Sequence, residues 1–341
     1  MQTLTLKRWL STISILSLIT LIVSFVLLLY GSDALKPYDA LIGLKSLLSG
    51  NIESGTVNTI LFQVRLPRIV LALITGGALA AAGAGFQAIL KNPLADPYVL
   101  GISSGAALGV IVSLYSGVFL SMAGISSTIV FAFVGAMLTL YIVYRLGTVD
   151  KKIPPHTMLL SGVMINAIIF AAILLIVSIS KSMNLYRIFF WLLGYLSSPD
   201  YSTLLTAFIF AFIGAAIMFS QAKSLNILTM DDETASTLGL DVERIKKLIL
   251  IGVALLVAAS VSICGPISFI GIMIPHTVRL LAGYDYRFIL PVSMLGGGVF
   301  LAVADTFART VLSPAEIPVG IITALTGGPF FLYLLRTRRL V

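Results

Sequence analysis

The stretch LSTISILSLITLIVSFVLLLY, residues 10–30, contains no charged side chain and follows Lys7 and Arg8. The hydrocarbon core of a bilayer is about 30 Å thick, and about 20 apolar helical residues cross it. The apolar region of a secretory signal peptide is shorter, about 7–15 residues, and a cleavage site with small residues follows it. No clear site of that kind follows Tyr30. We therefore expect an uncleaved helix that spans a membrane.

Nine further apolar runs follow along the chain and bring the number of candidate spans to ten. The run 98–119 is interrupted by glycines, and residues 247–283 form either one long span or two. The prediction is an all-α, polytopic membrane protein with about ten transmembrane helices in one domain, residues 1–341. The nine runs lie near residues 69–90, 98–119, 124–144, 158–180, 202–222, 247–264, 267–283, 288–307 and 318–335.

The overall composition excludes a soluble protein. Hydrophobic residues make up 58% of the 341 residues and charged residues 11%, against roughly 45–50% and about 25% in soluble domains. A soluble fold of this size has too much surface to hide so many apolar side chains, and a disordered chain has far fewer of them. The single cysteine, Cys264, excludes a disulfide framework and a cysteine-rich metal site.

The distribution of Lys and Arg predicts the orientation of the chain. Ten spans place both termini on one side. If that side is cytoplasmic, the inner segments hold 15 of the 22 basic residues and the outer segments 7. Cytoplasmic loops carry such an excess. We therefore expect both termini in the cytoplasm, an outer segment at 31–59 and a cytoplasmic loop at 223–247, in a multi-pass protein of the cytoplasmic membrane.

Glycines within the predicted spans indicate close helix packing. Small residues allow membrane helices to approach, because packing drives their association. A Gly/Ala-rich helix followed by a proline-containing turn occurs at 76–97 and again at 252–276. The predicted topology runs these two units in opposite directions, which suggests an inverted repeat of the kind found in transporters.

Three arginines on the outer side break the positive-inside trend. Arg65 and Arg68 flank Pro67 at the start of the second span, and Arg309 lies near the outer end of the ninth. Cations at a helix N-terminus oppose the helix dipole, so the arrangement is unfavourable by itself. One interpretation is that the side chains reach lipid phosphates at the interface. The other is a basic outer rim that docks an acidic partner protein.

The longest inner loop contains a short helix with its own capping signals. Thr229 and Asp232 have the spacing of a capping box. Asp231, Asp232 and Glu233 are expected in the first turn, and Gly239 fits the position after the end. This pattern predicts a helix at about 230–238, and Asp241 is a candidate cap for the next one. The segment is either a structured loop or a docking element for a cytoplasmic partner.

Two proline-containing segments near the inner face are predicted to be turns with charged anchors. The first contains Asn92, Pro93, Asp96 and Pro97, and the second, residues 271–279, contains Pro275, His276 and Arg279. His156 and His276 are both placed on loop-like segments and lack metal-ligand spacing, so we expect no metal site.

Several kinds of chemistry are missing from the sequence. No phosphate-binding Gly-x-x-x-x-Gly-Lys motif occurs, so ATP hydrolysis by this chain is not expected. An ion-gradient-driven carrier usually needs carboxylates inside the membrane, and a membrane enzyme needs clustered His, Asp or Glu. The nearest candidate, Asp305, has Arg309 at i+4 and is expected to pair with it. We expect no enzyme activity and no nucleic-acid partner.

Eight short motifs, in order along residues 10–339, resemble the FecCD-type permease subunits of ATP-driven importers for iron-siderophores, haem and cobalamin. The 31–59 segment matches this family only loosely. The matching strings are RLPR at 65–68, GAGFQ at 83–87 with NPLADP at 92–97, GISSG at 101–105, STLGL at 236–240, GPISFIG at 265–271, PHTVR at 275–279, ADTFAR at 304–309 and EIPVG at 316–320.

The resemblance implies ten spans and a set of partners. These are a second permease subunit (self or a paralogue), two cytoplasmic ATPase subunits that carry ATP and Mg²⁺, and an extracytoplasmic binding protein. This chain would itself hold no cofactor. Importers of ferric siderophores, haem and cobalamin share these motifs. We expect a ferric siderophore as substrate because of its frequency, with haem or cobalamin as alternatives. A distant alternative function is an ion-gradient-driven carrier.

The resemblance also implies roles for individual residues. Arg65, Arg68 and Arg309 would meet acidic residues of the binding protein. Residues 181–200, with Leu185, Trp191 and Gly194, would form part of the gate. The segment 229–240 would couple to the ATPase through Thr229, Asp232, Glu233, Ser236, Leu238, Gly239 and Leu240.

Overall fold

The computed structural model describes residues 6–31, 37–48, 56–116, 121–122, 125–179 and 185–336. Helices dominate these residues, and one short hairpin pairs β1, Ser121–Met122, with β2, Ile125–Ser126. The helices are α1 Leu6–Leu29, α2 Pro37–Leu48, α3 Thr56–Thr59, α4 Leu66–Leu90, α5 Ile102–Ser116, α6 Ser127–Gly147, α7 Pro155–Ile179, α8 Leu185–Leu192, α9 Tyr201–Ser220, α10 Ala222–Leu228, α11 Asp232–Thr237, α12 Val242–Cys264, α13 Ile270–Ala282, α14 Tyr286–Thr310 and α15 Val319–Arg336.

Seven helical stretches among the described residues are long and apolar enough to cross a membrane, and three shorter apolar helices accompany them. The three are α5, α13 and the greater part of α15. Each of the ten predicted runs overlaps one of these elements. The all-helical fold class is therefore confirmed, with at least seven apolar helices of spanning length.

Two uncertain regions are resolved by breaks in the backbone. Residues 247–283 form two helices, α12 and α13, separated at Gly265, whose φ of 68° is readily adopted only by glycine. The run 98–119 begins with a 3₁₀ turn, Pro97–Leu100, before Gly101 allows the change of direction into α5. The second span starts earlier than its apolar run, because α3 continues through a π-helical stretch, Ile60–Arg65, into α4.

Helix α4 lies at the centre of the bundle and packs against α9, α12, α13 and α14. Glycines permit these approaches. A Cβ at Gly76 would overlap the carbonyl oxygen of Gly297, and a Cβ at Gly83 would overlap that of Gly271. The expectation that intramembrane glycines serve close packing is confirmed at these crossings.

The two predicted proline turns have different outcomes. Residues 91–96 do form a turn: the Asn92 side chain accepts a hydrogen bond from the amide of Leu94 (2.9 Å), and Asp96 caps the 3₁₀ turn that begins at Pro97. Pro93 lies in the same turn. The prediction for 271–279 was wrong, because this segment lies inside α13 with Pro275 in the helix interior.

Helix α13 continues through Pro275 because a side chain from α4 replaces the hydrogen bond that the proline removes. Pro275 has no N–H and leaves the carbonyl oxygen of Gly271 without its helical partner. The Nε2 of Gln87 donates to that carbonyl oxygen at 2.9 Å in place of the missing N–H. Arg279 donates to the Oε1 of Gln87. His276 is buried in the same helix, and His156 lies in the first turn of α7, so neither lies on a loop.

Some predicted features fall partly outside the described residues. These are the outer segment 31–59, of which 31, 37–48 and 56–59 are described, and the gate region 181–200, described from residue 185.

Candidate functional sites at the two ends of the bundle

One end of the bundle carries an arginine cluster, composed of Arg65, Arg68, Arg309, Asp305, Glu316 and Tyr195. Arg68 forms its centre. The Nε and Nη2 atoms of Arg68 donate to the two oxygens of Asp305, each at 3.0 Å, and Nη1 donates to Oε2 of Glu316 at 3.1 Å. The Tyr195 hydroxyl donates to the same Glu316 oxygen, and the guanidinium lies 5.2 Å from the centre of the Tyr195 ring. Four separate chain segments thus meet at one cation.

The other two arginines of the cluster bind groups of this chain as well. Arg309 Nε lies 3.4 Å from Oδ2 of Asp305, which confirms the pair expected from their i,i+4 spacing. Arg65 Nη1 donates to the carbonyl oxygens of Leu28 (3.1 Å) and Leu29 (3.2 Å). These are the final carbonyls of α1, which lack helical partners and attract cations.

The burial of the arginines corrects the expectation of an exposed basic rim. Their exposed fractions are 0% for Arg65, 4% for Arg68 and 2% for Arg309. The guanidinium groups face carboxylates and carbonyls of their own chain and do not extend to lipid phosphates. Burying a cation without a partner costs free energy, so breaking these contacts is unfavourable and the arginines stay paired within their own chain. A role in docking a partner protein stays a prediction.

Glu316 links the arginine cluster to the predicted gate. The pKa of Glu316 is lowered: burial favours the neutral form, but the Tyr195 hydroxyl and the Arg68 charge outweigh it. Glu316 therefore stays an anion and holds Tyr195. Sequence analysis missed both residues as site members, although Glu316 opens one of the motifs quoted above. No local signal pairs residues that are 248 positions apart, as Arg68 and Glu316 are.

Two of the three predicted gate residues, Trp191 and Gly194, lie within four residues of Tyr195 in the chain. Trp191 is in α8, Gly194 follows that helix with a φ of 72°, and Leu185 is the first residue of α8. The amide of Tyr195 donates to the carbonyl of Cys264 (2.8 Å), and the amide of Gly320 donates to that of Gly194 (3.1 Å). A Cβ at Gly194 would overlap the carbonyl oxygen of Pro266. The backbone after α8 is therefore wedged between the α12–α13 connection and the start of α15.

The 229–240 segment contains the short helix that the sequence predicts. Helix α11 spans Asp232–Thr237, and Gly239 follows with a φ of 82°. The amide of Leu240 donates to Ala235 (3.1 Å) and that of Gly239 to Ser236 (2.9 Å), the two bonds of a Schellman motif. Asp241 caps α12 as expected, since its side chain accepts from the amide of Arg244.

The predicted capping box of α11 was wrong in register. Asp231 is the cap, and its carboxylate accepts from the amide of Thr234 at 2.7 Å. The Thr229 hydroxyl instead donates to the carbonyl of Asn226 (2.8 Å) at the end of α10. The pKa of Asp231 is lowered by the hydroxyl and amide of Thr234, which keeps the cap ionised.

The 229–240 segment presents a mixed apolar and polar surface. The side chains of Met230 and Leu238 are 52% and 61% exposed, and Glu233, Ser236 and Gly239 are exposed beside them. Leu240 is partly buried and packs against the main core. These exposed apolar side chains lie outside the helices of spanning length, which makes the segment a candidate surface for contact with another protein.

A lysine network, composed of Lys91, Asp232, Lys246 and Glu243, joins this segment to the bundle. Asp232 accepts from Lys91 at 2.7 Å through one oxygen and from Lys246 at 2.6 Å through the other. Lys246, only 1% exposed, also lies 3.4 Å from Glu243. Burial favours the neutral form of Asp232, but the two lysines outweigh it and lower its pKa. Asp232 is thus an anion that ties α11 to the end of α4 and the start of α12.

Comparison with known proteins identifies the family. The model of the FecCD transport family matches residues 17–337. The chain belongs to this family. It is 41% identical to the cobalamin import system permease protein BtuC of Halobacterium salinarum, over 83% of this chain and 75% of that protein. It is 40% identical to the hemin transport system permease protein HmuU of Yersinia pestis, over 81% of this chain and 83% of that protein.

A solved structure of an ABC transporter has the same fold. An inward-facing metal-chelate type ABC transporter superposes with a TM-score of 0.81 at 29% identity, covering 96% of this chain and 99% of that chain. The relatives are permease subunits and not enzymes. With its apolar helices of spanning length, this FecCD chain is a multi-pass membrane protein.

Proposed function

We propose that this chain is the permease subunit of an ATP-binding-cassette importer that carries a ferric siderophore across the cytoplasmic membrane. The observation that carries the proposal is the family match over residues 17–337. Iron-chelate permeases are among the relatives, for example the Fe(3+)-citrate import system permease protein YfmD of Bacillus subtilis at 36% identity.

The proposed topology has ten spans with both termini in the cytoplasm. Seven long and three short apolar helices support the number of spans. The excess of Lys and Arg, 15 against 7, supports the orientation. In this topology the lysine network lies at the cytoplasmic end and the arginine cluster at the outer end.

The energy for transport comes from two ATPase subunits that bind ATP and Mg²⁺. The 229–240 segment docks in the ATPase through its exposed residues, Met230 and Leu238 among them. The lysine network passes the movement of α11 to α4 and α12. Because glycine contacts hold α4 tightly against its neighbours, the helices move as rigid bodies between two packings of similar energy.

At the outer end an extracytoplasmic binding protein delivers the substrate, and a second permease subunit completes the path. The arginine cluster supports docking in an indirect form. Glu316 and Tyr195 are its partly exposed members. Glu316 binds Arg68, and Tyr195 binds Glu316. A carboxylate of the binding protein that competes for Arg68 would free Glu316 from it. Tyr195, which donates to Glu316, would move with Glu316 and shift the gate backbone at 191–195.

The second candidate substrate class is cobalamin or haem, because relatives with those names are 41% and 40% identical. The test is a binding screen of the cognate binding protein against iron chelates, haem and corrinoids. Uptake into proteoliposomes that contain both permease copies and the ATPase follows. We expect uptake only with ATP and the binding protein. Uptake by the permease alone, driven by an ion gradient, would contradict the proposal.

A further inference from the structure

A groove between α6 and α12 is not part of either end site. Its volume is about 260 Å³. From α6 it is lined by Met137, Leu140, Tyr141 and Tyr144, and from α12 by Lys247, Leu250, Ile251 and Ala254. Lys247 is the only charged lining residue, and no carboxylate lines the groove. The groove is therefore apolar along its length and positive at one end.

The positive end extends beyond Lys247 along both helices. Arg145 lies four residues after Tyr141 on α6, and Arg244 lies three residues before Lys247 on α12, so each continues the lining face by one turn. All three cations are exposed, and among the described residues none of them forms an ion pair. The nearest carboxylate in sequence, Glu243, accepts from the amide of Ile153 at 2.8 Å and lies 3.4 Å from Lys246. Asp241, the next one, accepts from the backbone of Arg244.

The position of Lys247 is held by an aromatic ring. Its ammonium lies 5.8 Å from the centre of the Tyr144 ring, which places the charge at the mouth of the groove. Tyr141 and Tyr144 are the type of residue that lies at the level of lipid headgroups. The apolar part of the groove falls within two spanning helices, so it lies at the depth of the hydrocarbon.

We propose that this groove binds an anionic phospholipid, with an acyl chain along Leu140, Leu250 and Ile251 and the phosphate at Lys247, Arg145 and Arg244. The argument for this occupant is charge complementarity. A ligand at this position must be apolar at membrane depth and negative at the boundary, and an anionic lipid has both properties. Basic pockets between membrane helices recognise lipid headgroups in this way. The site does not depend on which substrate the chain transports.

The test measures lipid bound to the purified full chain in detergent. The chain is titrated with phosphatidylglycerol or phosphatidylcholine of identical acyl chains, and bound lipid is counted by native mass spectrometry. We expect phosphatidylglycerol to bind more tightly. Each cation beside an anionic headgroup contributes about fivefold in affinity, from about 1 kcal/mol per charge. Lys247→Gln should therefore weaken phosphatidylglycerol binding about fivefold. It should weaken phosphatidylcholine binding less, because the choline cation offsets the charge of the phosphate.

Two further variants separate the groove from general surface charge. Ile251→Trp, which fills the groove without changing the charge, should weaken both lipids. Arg336→Gln removes an exposed cation in the last turn of α15 and should change neither. Equal affinity for the two lipids would overturn the proposal, as would an Arg336→Gln effect as large as that of Lys247→Gln. A change from dimer to monomer in Ile251→Trp, without loss of lipid, would show that a second copy occupies the groove and would overturn it too.

Discussion

Replacing Asp232 by Asn tests whether the lysine network holds the 229–240 segment to the bundle. The substitution keeps the size of the side chain and removes the charge that binds Lys91 and Lys246 at 2.7 and 2.6 Å. Glu233→Gln is the matched control. It removes the neighbouring acidic charge, which is exposed and has no ion pair among the described residues.

The magnitude follows from the burial of the two ion pairs. Hydrogen bonds to charged groups contribute about 1.5–3 kcal/mol when buried, and exposed ion pairs about 0–1 kcal/mol. Lys246 is buried, but the Asp232 side chain is 46% exposed and Glu243 remains as a partner of Lys246. We therefore expect a loss of about 1–2 kcal/mol in the free energy of local opening, a factor of about 5–30 in the open population.

The assay is hydrogen–deuterium exchange of the amides that close α11. The amides of Ala235, Gly239 and Leu240 are hydrogen-bonded within the segment, so their exchange reports its opening. Asp232→Asn should accelerate it about 5–30-fold, and Glu233→Gln should leave it near the wild-type rate. With the partner ATPase present, Asp232→Asn should lower uptake per ATP hydrolysed. Unchanged exchange in Asp232→Asn, or an equal acceleration in Glu233→Gln, would refute the reasoning.

Three further predictions follow from other contacts. Gln87→Leu should destabilise the purified chain by about 1–3 kcal/mol, because it leaves the buried carbonyl of Gly271 without a hydrogen-bond donor. Adding Pro275→Ala to this variant restores the helical N–H and should recover part of the loss, measured by thermal unfolding. Gly83→Ala should lower the yield of monodisperse protein on size-exclusion chromatography, whereas Gly296→Ala, where a Cβ lies 3.5 Å from its nearest neighbour, should not. The pKa of Asp232 is lowered in the fold. Its contribution to the stability of the 229–240 segment is therefore present above the ordinary carboxyl pKa of about 4 and is lost as pH falls through the lower folded value. Amide exchange of this segment, corrected for its intrinsic pH dependence, should be constant between about pH 5 and 8.

The elements were largely predictable because their signals are local. Hydropathy over about 20 residues located the seven long and three shorter apolar helices of the described residues, and Gly239 marked the end of α11. The errors arose where a distant residue altered a local rule. Pro275 predicts a turn, but the segment is helical because Gln87 donates to the Gly271 carbonyl that the proline leaves without a partner. Thr229 and Asp231 are both good caps, and the choice depends on where α10 ends.

The candidate sites were predictable as segments but not as contacts. The sequence identified Arg65, Arg68 and Arg309 as unusual, since they fall on the side predicted to be outer, where Lys and Arg are less frequent. It could not give Arg68 the partners Asp305 and Glu316, which lie 237 and 248 positions away. It also did not indicate that Lys246 is buried beside Asp232.

By itself, then, the sequence determined that this chain lies in a membrane, where its long apolar helices fall, and which family it belongs to. These properties depend on side-chain hydrophobicity and on motifs that act over a few residues. Apart from the Asp305–Arg309 pair, which its i,i+4 spacing predicted, only the tertiary structure decided which charges face each other and which are hidden from solvent. The energy of a charge depends on what surrounds it, and the surroundings of Arg68 and Asp232 come from helices that are distant in sequence and meet only when the bundle packs.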